Sequence, residues 1–375
     1  MGNLEINKQA FAGVYAGKKV LVTGNTGFKG SWLTLWLLEL GAKVYGLSND
    51  VPGTPCMFNE LGLEKKIQHY WADIRNTAKM QEIIQEVNPD FVFHLAAQAL
   101  VSVSYDHPID TISTNVLGTA NLLEALRLEN PDCTAVIITS DKCYENVEWV
   151  WGYKETDHLG GKDIYSGSKG AAEIIFKAYF NSFFKKEECR VRLVTARAGN
   201  VIGGGDWAQD RIIPDCIRSW SKGVPVEIRS PKATRPWQHV LEPLSGYLAL
   251  GQKLSLDKTI NGESFNFGPQ AENSHTVIDL ISAVGSIFGQ PQGQKPYTIT
   301  DNIPFHEAGL LKLNCDKALF HLRWKPTLQY EELIHFTADW YRNWNTGEAN
   351  MYDFTMTQLK MYQEKAAQRK QSWIE

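Results

Sequence analysis

Tyr165 and Lys169 stand four positions apart in YSGSK, so a helix would carry phenol and amine on one face. A phenol titrates near ~10, and a cation beside it favours phenolate, which makes the pair a proton acceptor near working pH. A second concentration of reactive groups lies upstream. In TSDKCYEN (139–146) two hydroxyls, a carboxylate and an amine (Thr139, Ser140, Asp141 and Lys142) directly follow the apolar run AVII. A third lies near the start, where Gly24, Gly27 and Gly30 punctuate VTGNTGFKGSW. Gly24 suits a tight turn, Gly27 lets the backbone approach a pyrophosphate, and Gly30 permits close helix–strand packing, so a dinucleotide would sit on the helix N-terminus.

An acidic residue some 20 positions beyond such glycines holds the adenosine ribose of NAD. The end of the second predicted strand is Ser48, and Asp50 two positions on is the candidate; no arginine follows that strand immediately to receive a 2′-phosphate. Asp73 and Ile74, in WADIRN, suit the adenine amine and the adenine ring; alternatively Asp73 caps the following helix.

These residues need a frame that brings strand ends together. Runs at 18–24, 42–48, 91–97, 135–140 and 191–201 read as strands, and stretches at 31–41, 80–88, 114–129 and 168–186 read as helices. Alternation of that kind gives an α/β fold, a doubly wound parallel sheet with helices on both faces, whose strands deliver their C-terminal ends to a ligand crevice. After residue 202 the rhythm breaks into Gly-rich and Pro-rich connections with helical stretches near 211–222, 240–252, 276–288 and 328–345, while ESFNFGP (263–269) reads as a strand returning to the sheet edge. The expected organisation is a dinucleotide domain over 1–202 with parts of 240–270, and a smaller C-terminal substrate lobe over 203–239 and 270–350. The first 17 residues and the polar tail after about 350 read as peripheral.

Composition narrows the function. With 38 Lys+Arg against 42 Asp+Glu and no basic stripe, nothing points to nucleic acid or an anionic membrane as partner. Six scattered cysteines without a CxxC pair suit reduced thiols and no metal site. No leader pattern and no apolar run near ~20 residues suggest a cytoplasmic protein. The 12 tryptophans read as core and interface packing.

TGNTGFKG, HLAAQ (94–98), Asn115, the strand-end hydroxyl, YSGSK, ARAGNVIG (196–203), RPWQHV (235–240) and NFGP (266–269) together resemble the extended short-chain dehydrogenases/reductases of the nucleotide-sugar branch, over about residues 18–345. Within it, TSDKCYEN, GGGDWAQDRIIPD (203–215) and RPWQHV are most similar to the 4,6-dehydratases of CDP-sugars. The resemblance implies a Rossmann domain holding NAD through Gly24, Gly27, Phe28, Gly30, Asp50, Asp73, Ile74, Leu95, Ala96, Ala97, Tyr165 and Lys169. It also implies an early step of deoxysugar and lipopolysaccharide synthesis, and a homodimer or dimer of dimers paired through a four-helix bundle built on 114–129 and 168–186. Tyr165 would take the C4 hydroxyl proton, Ser140 and Thr139 would orient the C4 oxygen, and Asp141 would protonate the departing C6 hydroxyl. Lys142, where the dTDP-type enzymes carry glutamate, would act at C5 as a neutral base or as a cation stabilising the enolate. Arg235, Arg211 and Asn200 would meet the sugar-nucleotide diphosphate. His239 and His306 read as packed or exposed. An epimerase of the same fold lacks the acid after the hydroxyl, and a noncatalytic NAD-sensing scaffold should have lost Ser140, Tyr165 or Lys169.

Overall fold

In the computed structural model, which describes residues 9–270, 275–291, 293, 295–300 and 310–374, seven parallel strands form one sheet. They are β1 (Lys19–Thr23), β2 (Lys43–Ser48), β3 (Gln68–Trp71), β4 (Phe91–His94), β5 (Thr134–Ile138), β6 (Arg192–Ala198) and β7 (Ser264–Phe267), in the order β7-β6-β5-β4-β1-β2-β3. The order reverses between β1 and β4, which opens the crevice at their C-terminal ends where such sheets bind ligands. The 263–269 run does return to the edge, pairing parallel to β6 with Phe265 opposite Ala196.

Alternation along each strand feeds two cores. Val20 and Val22 of β1, with Val136 and Ile138 of β5, enter the larger one; Leu21, Ala135 and Ile137 enter the other. Helix α1 (Phe28–Glu39) is apolar nearly all round, with Trp32, Leu33, Leu35, Trp36 and Leu37 fully buried, because it is covered by the sheet on one side and by later elements on the other. The second core lies under α2 (Thr77–Val87), capped by the Asn76 side chain, and α3 (Gly118–Glu129).

Helix α4 (Ile164–Tyr179) begins four residues before the sequence-predicted 168, with Asp163 accepting from the Ser166 amide, so Tyr165 stands in its first turn. The predicted strand at 191–201 breaks at Gly199 and Asn200, the latter at φ 51°, and resumes as Val201–Ile202 beside Gln238–His239. Helices α5 (Ile212–Trp220), α6 (Leu241–Leu256), α7 (Val277–Phe288) and α8 (Tyr330–Thr346) match the predicted stretches, and α6 lies against β5 and β6.

The two termini are not peripheral. Phe11 and Tyr15 are buried, and the tail forms α9 (Met351–Gln368), which buries Met356, Leu359 and Tyr362. Phe11 stacks on Trp373 at 5.0 Å, and Trp373 stacks on Tyr362 at 5.8 Å, with Trp36 edge-on to both. Chain start and chain end thus form one aromatic cluster over α1. Among the described residues, no helix is long and apolar enough to cross a membrane, and no group of three or more His, Cys, Asp or Glu could hold a metal ion. His306 lies outside the described residues.

Candidate active site

The glycine turn is built as its spacing requires. Gly24 has φ +72°, and a Cβ there would stand 2.6 Å from the Ala96 amide nitrogen. A Cβ on Gly30 would stand 2.1 Å from the Gly24 carbonyl oxygen, so only glycine lets α1 close on β1. Gly27 is the N-cap of α1, which leaves the first helical amides free for an anion. Ser48 donates to Asn25 Oδ1 at 3.0 Å, and Thr26 donates to the Asp50 carbonyl at 2.8 Å, so the end of β2 is tied to the turn while Asp50 stands exposed at its rim. Asp73 is gripped by Arg75 at 2.7 Å, which holds its carboxyl below the usual range. The cap of α2 is Asn76 instead, leaving Asp73 at the crevice margin. Ile74 is buried against Gly118, and Leu95, Ala96 and Ala97 line the end of β4 half-buried. These groups fit a dinucleotide: a backbone cradle that no side chain could share, a free helix N-terminus, and a buried floor.

Past the end of β5, Ser140 is the N-cap of a short 3₁₀ turn, Asp141–Cys143. Its hydroxyl accepts from the Lys142 amide at 3.2 Å and donates to Asp141 Oδ1 at 2.9 Å, and it lies close enough to the Tyr165 phenol to oppose the burial that raises it. Phenol, hydroxyl and carboxyl are therefore neighbours. Asp141 is 4% exposed, and a Cβ on Gly199 would fall 1.7 Å from its Oδ2, so the glycine in ARAGNV makes room for the acid. Asp141, Gly199, Pro236, Gln238, Gly268 and Lys312 line a cleft of about 330 Å³.

Burial pushes the Tyr165 phenol up to about 12; the largest opposing influences are the Ser140 hydrogen bond and, after the adverse Asp141 charge, the Arg211 cation. Lys169, whose ammonium lies 6.0 Å from the Tyr165 ring centroid, is pushed down to about 8, mainly by burial. Activation of the phenol is therefore shared. Arg211, expected at a diphosphate, has its guanidinium held by Asp206 at 2.9 Å, and its charge acts on Tyr165. Arg235 sits in a two-residue strand paired with His275–Thr276, and Asn200 turns the chain beside Gln238. Lys142 is half-buried in the 3₁₀ turn. His239 is fully buried and kept neutral by burial, with its pKa near 3, as a packed histidine should be.

Thr139 is a correction. It does not face the crevice: its hydroxyl donates to Glu173 Oε1 at 2.5 Å beneath the sheet end. Glu173 forms a fully buried, two-pronged ion pair with Arg197 at 3.0 and 2.8 Å, and also accepts from Thr195. Glu173, which the sequence reading did not single out, and Asn115, named there only among the residues of the resemblance, complete this support. Glu173 follows Lys169 by four residues, a spacing visible in YSGSKGAAE, and so lies on the same helix face. Asn115, in a π-turn at Ser113–Leu117, donates to Ser168 at 2.9 Å and to the Gln98 carbonyl at 3.0 Å, pinning α4 to the loop after β4.

A doubly wound parallel sheet with a glycine turn at the crevice and a helix-borne Tyr–Lys pair beside a strand-end serine defines an extended short-chain dehydrogenase/reductase. Residues 21–337 match the family described as GDP-mannose 4,6 dehydratase, and the chain belongs to that family. It is 46% identical over 337 residues to the CDP-glucose 4,6-dehydratase of Salmonella typhimurium, covering 89% of this chain and 93% of that one. It is 27% identical to a dTDP-glucose 4,6-dehydratase of Xanthomonas campestris, covering 86% and 92%. Among solved structures, a UDP-glucose 4-epimerase of Thermus thermophilus in complex with NAD superposes with a TM-score of 0.70 at 26% identity, covering 86% and 99%.

Proposed function

We propose that this chain is a CDP-glucose 4,6-dehydratase that uses NAD and releases CDP-4-keto-6-deoxyglucose and water. The observation that carries the reading is the grouping of Tyr165 with Ser140 and its hydrogen-bonded neighbour Asp141, because an oxidising base and an eliminating acid meet at one serine. An epimerase needs the first and has no use for the second.

NAD, when bound, supplies the hydride acceptor for C4 and gives the hydride back at C6. The residues of the chain do the rest. Tyr165 takes the C4 hydroxyl proton as the C4 hydrogen departs with its electron pair, and Ser140 orients the C4 oxygen. The new ketone acidifies the C5 hydrogen. Asp141 gives its proton to the C6 hydroxyl, which leaves as water while the C5–H electron pair forms the C5–C6 double bond. Lys142 accepts the C5 proton, and a proton returns from it to C5 when hydride adds at C6. Arg197 and Glu173 take no part in bond changes; they hold the strand end beneath Ser140. Arg235 and Asn200 are assigned to the diphosphate of the substrate. The product suits deoxysugar synthesis, including that of lipopolysaccharide, in the cytoplasm.

Incubation with NAD and each of CDP-glucose, dTDP-glucose, UDP-glucose and GDP-mannose, followed by the alkali-developed absorbance of 4-keto-6-deoxy sugars, tests the assignment. CDP-glucose should be turned over fastest. Turnover of another sugar nucleotide with none of CDP-glucose would overturn it.

The chain is also assigned as a dimer. Ile109 (74% exposed), Leu117 (56%) and Ile174 (57%) stand outward on or beside α3 and α4, where a second copy would cover them in a four-helix bundle. Light scattering at micromolar concentration should report two or four chains, and Ile174→Arg should shift the population toward monomer. A monomeric parent chain would refute the assignment.

A further inference from the structure

The run RPWQHV carries a polar side chain that the mechanism above leaves unused. Gln238 lies in the two-residue strand Gln238–His239 beside Val201–Ile202 and is 3% exposed. Its Nε2 donates to the Gly199 carbonyl and to the Phe267 carbonyl, each at 3.0 Å. Two carbonyls beside one end of the amide leave it a single way round, nitrogen toward them. The other end, Oε1, is buried and among the described residues accepts no hydrogen bond. Folds rarely leave a buried acceptor without a donor, and an exception calls for a functional reason.

Gln238 lines the same cleft as Asp141. Gly199 joins the two: its carbonyl holds the Gln238 amide, and its Cα lies so close to the Asp141 carboxyl that a Cβ would fall 1.7 Å from Oδ2. Acid and amide therefore flank one glycine. Of the other polar side chains lining the cleft, Lys312 ends in an ammonium, which only donates, and Gln270 is exposed. Besides Asp141 itself, Gln238 Oε1 is the buried side-chain acceptor of this cleft.

Loss of the C6 hydroxyl makes two geometric demands. Asp141 must bring its proton to a lone pair of the C6 oxygen, and the hydrogen already on that oxygen must point away from the carboxyl, or it will donate to Asp141 and block the transfer. A second acceptor satisfies both. We propose that Gln238 Oε1 accepts the hydrogen of the C6 hydroxyl, turning a lone pair of the C6 oxygen toward Asp141. The inference rests on the dehydratase reading above. In the step itself one proton passes from Asp141 to the C6 oxygen, the C6–O electron pair leaves with that oxygen as water, and the Gln238 amide is unchanged. Gln238 has no part in oxidation at C4.

The test compares CDP-glucose with CDP-6-deoxyglucose, which lacks only the C6 oxygen and can be oxidised at C4 but not dehydrated. Each is mixed with the full chain and NAD, and the absorbance of reduced nicotinamide and the yield of 4-keto-6-deoxy sugar are followed through one turnover. The parent should reduce NAD with either sugar and reoxidise it only with CDP-glucose. In Gln238→Met, elimination from CDP-glucose should slow by about ten-fold, the worth of one hydrogen bond, so that reduced cofactor accumulates. Oxidation of CDP-6-deoxyglucose should change little. Gln238→Asn keeps an amide but draws it back by one methylene, and it stands in should the Met variant fold poorly, with the same expectation. Elimination at the parent rate in these variants would overturn the proposal. So would an equal loss of C4 oxidation with both sugars, which would leave Gln238 only the task of tying Gly199 to Phe267. A parent chain that forms no dehydrated product from CDP-glucose would overturn the dehydratase reading, and this inference with it.

Discussion

Asp141 illustrates what one residue decides. Its proton is needed only when the C6 hydroxyl leaves, so Asp141→Asn should still oxidise C4 and then stall. The expected signature is reduced cofactor accumulating on the enzyme with product formation down by at least about 100-fold, within the range general acids contribute. Near-native turnover in that variant would remove Asp141 from the mechanism. Its neighbour Thr139 has a different job. Because Thr139 donates to the buried Glu173 carboxylate, Thr139→Val removes a donor from a charge that cannot reach water. That should lower stability by about 1–3 kcal/mol, read as denaturant midpoint, with KM for the sugar nucleotide little changed; a KM effect without a stability loss would return Thr139 to the substrate. The distinction was legible in the sequence. Side chains alternate faces along a strand and just past its end, so Thr139 and Ser140 cannot both face the crevice, and the period-two rule assigns one of them inward. Glycines 24, 27 and 30, Tyr165 and Lys169 were legible because each occupies a fixed offset in a local element. Asp206, Arg211 and Gly199 meet Tyr165 and Asp141 only through the fold, over separations no local spacing encodes.

The elements of the sheet were read with small boundary errors, because β-branched runs between helical stretches are a strong local signal. The chain ends were misread for a physical reason. Helix α9 shows a mixed, polar-looking face, yet it buries Met356, Leu359, Tyr362 and Ala366, and of the aromatic residues in the cluster beside it Phe11 and Trp36 are distant in sequence while Trp373 lies just past its end. A polar average hides a narrow apolar stripe. The cluster stabilises the start of the chain, α1 and the tail together, so Trp373→Ala should cost about 3–5 kcal/mol and expose the terminal helix to protease first. A Trp373→Ala chain with unchanged melting temperature would return the tail to the periphery. Helix α1 carries the glycine turn at one end and this cluster along its flank, which couples tail packing to the cofactor site.

Across the whole molecule, one buried carboxylate joins three parts of the chain and should make stability depend on pH. Glu242, in the first turn of α6 and 2% exposed, accepts from the Thr327 and Leu328 amides at 2.8 and 2.7 Å and from the Tyr362 hydroxyl at 3.0 Å. Burial outweighs these donors and raises its pKa from 4.5 to about 7. A carboxyl raised in the folded state binds its proton more tightly folded than unfolded. Its contribution is therefore most favourable below about pH 4.5, declines as pH rises between the unfolded and folded values, and levels off above pH 7, the whole change being at most about 3 kcal/mol. Glu332, held by Lys365 and Arg369 near 2, works in the opposite sense at lower pH, its stabilisation being lost only as pH falls below about 4.5. Buried His94 and His239, held near 3, gain stability for the fold as pH rises toward 6.5, so the difference between parent and a Glu242 variant, not the parent's own curve, isolates Glu242 between pH 5 and 7.5. Glu242→Gln keeps one acceptor, cannot ionise, and leaves one backbone amide poorly paired, so it should be less stable than the parent at pH 5 by about 1–3 kcal/mol. Raising the pH should narrow that gap, because only the parent loses stability through this group. Denaturant melts of both proteins at pH 5 and pH 7.5 measure it, and a gap that stays constant or widens would show that the carboxylate is ionised in the fold well below neutrality.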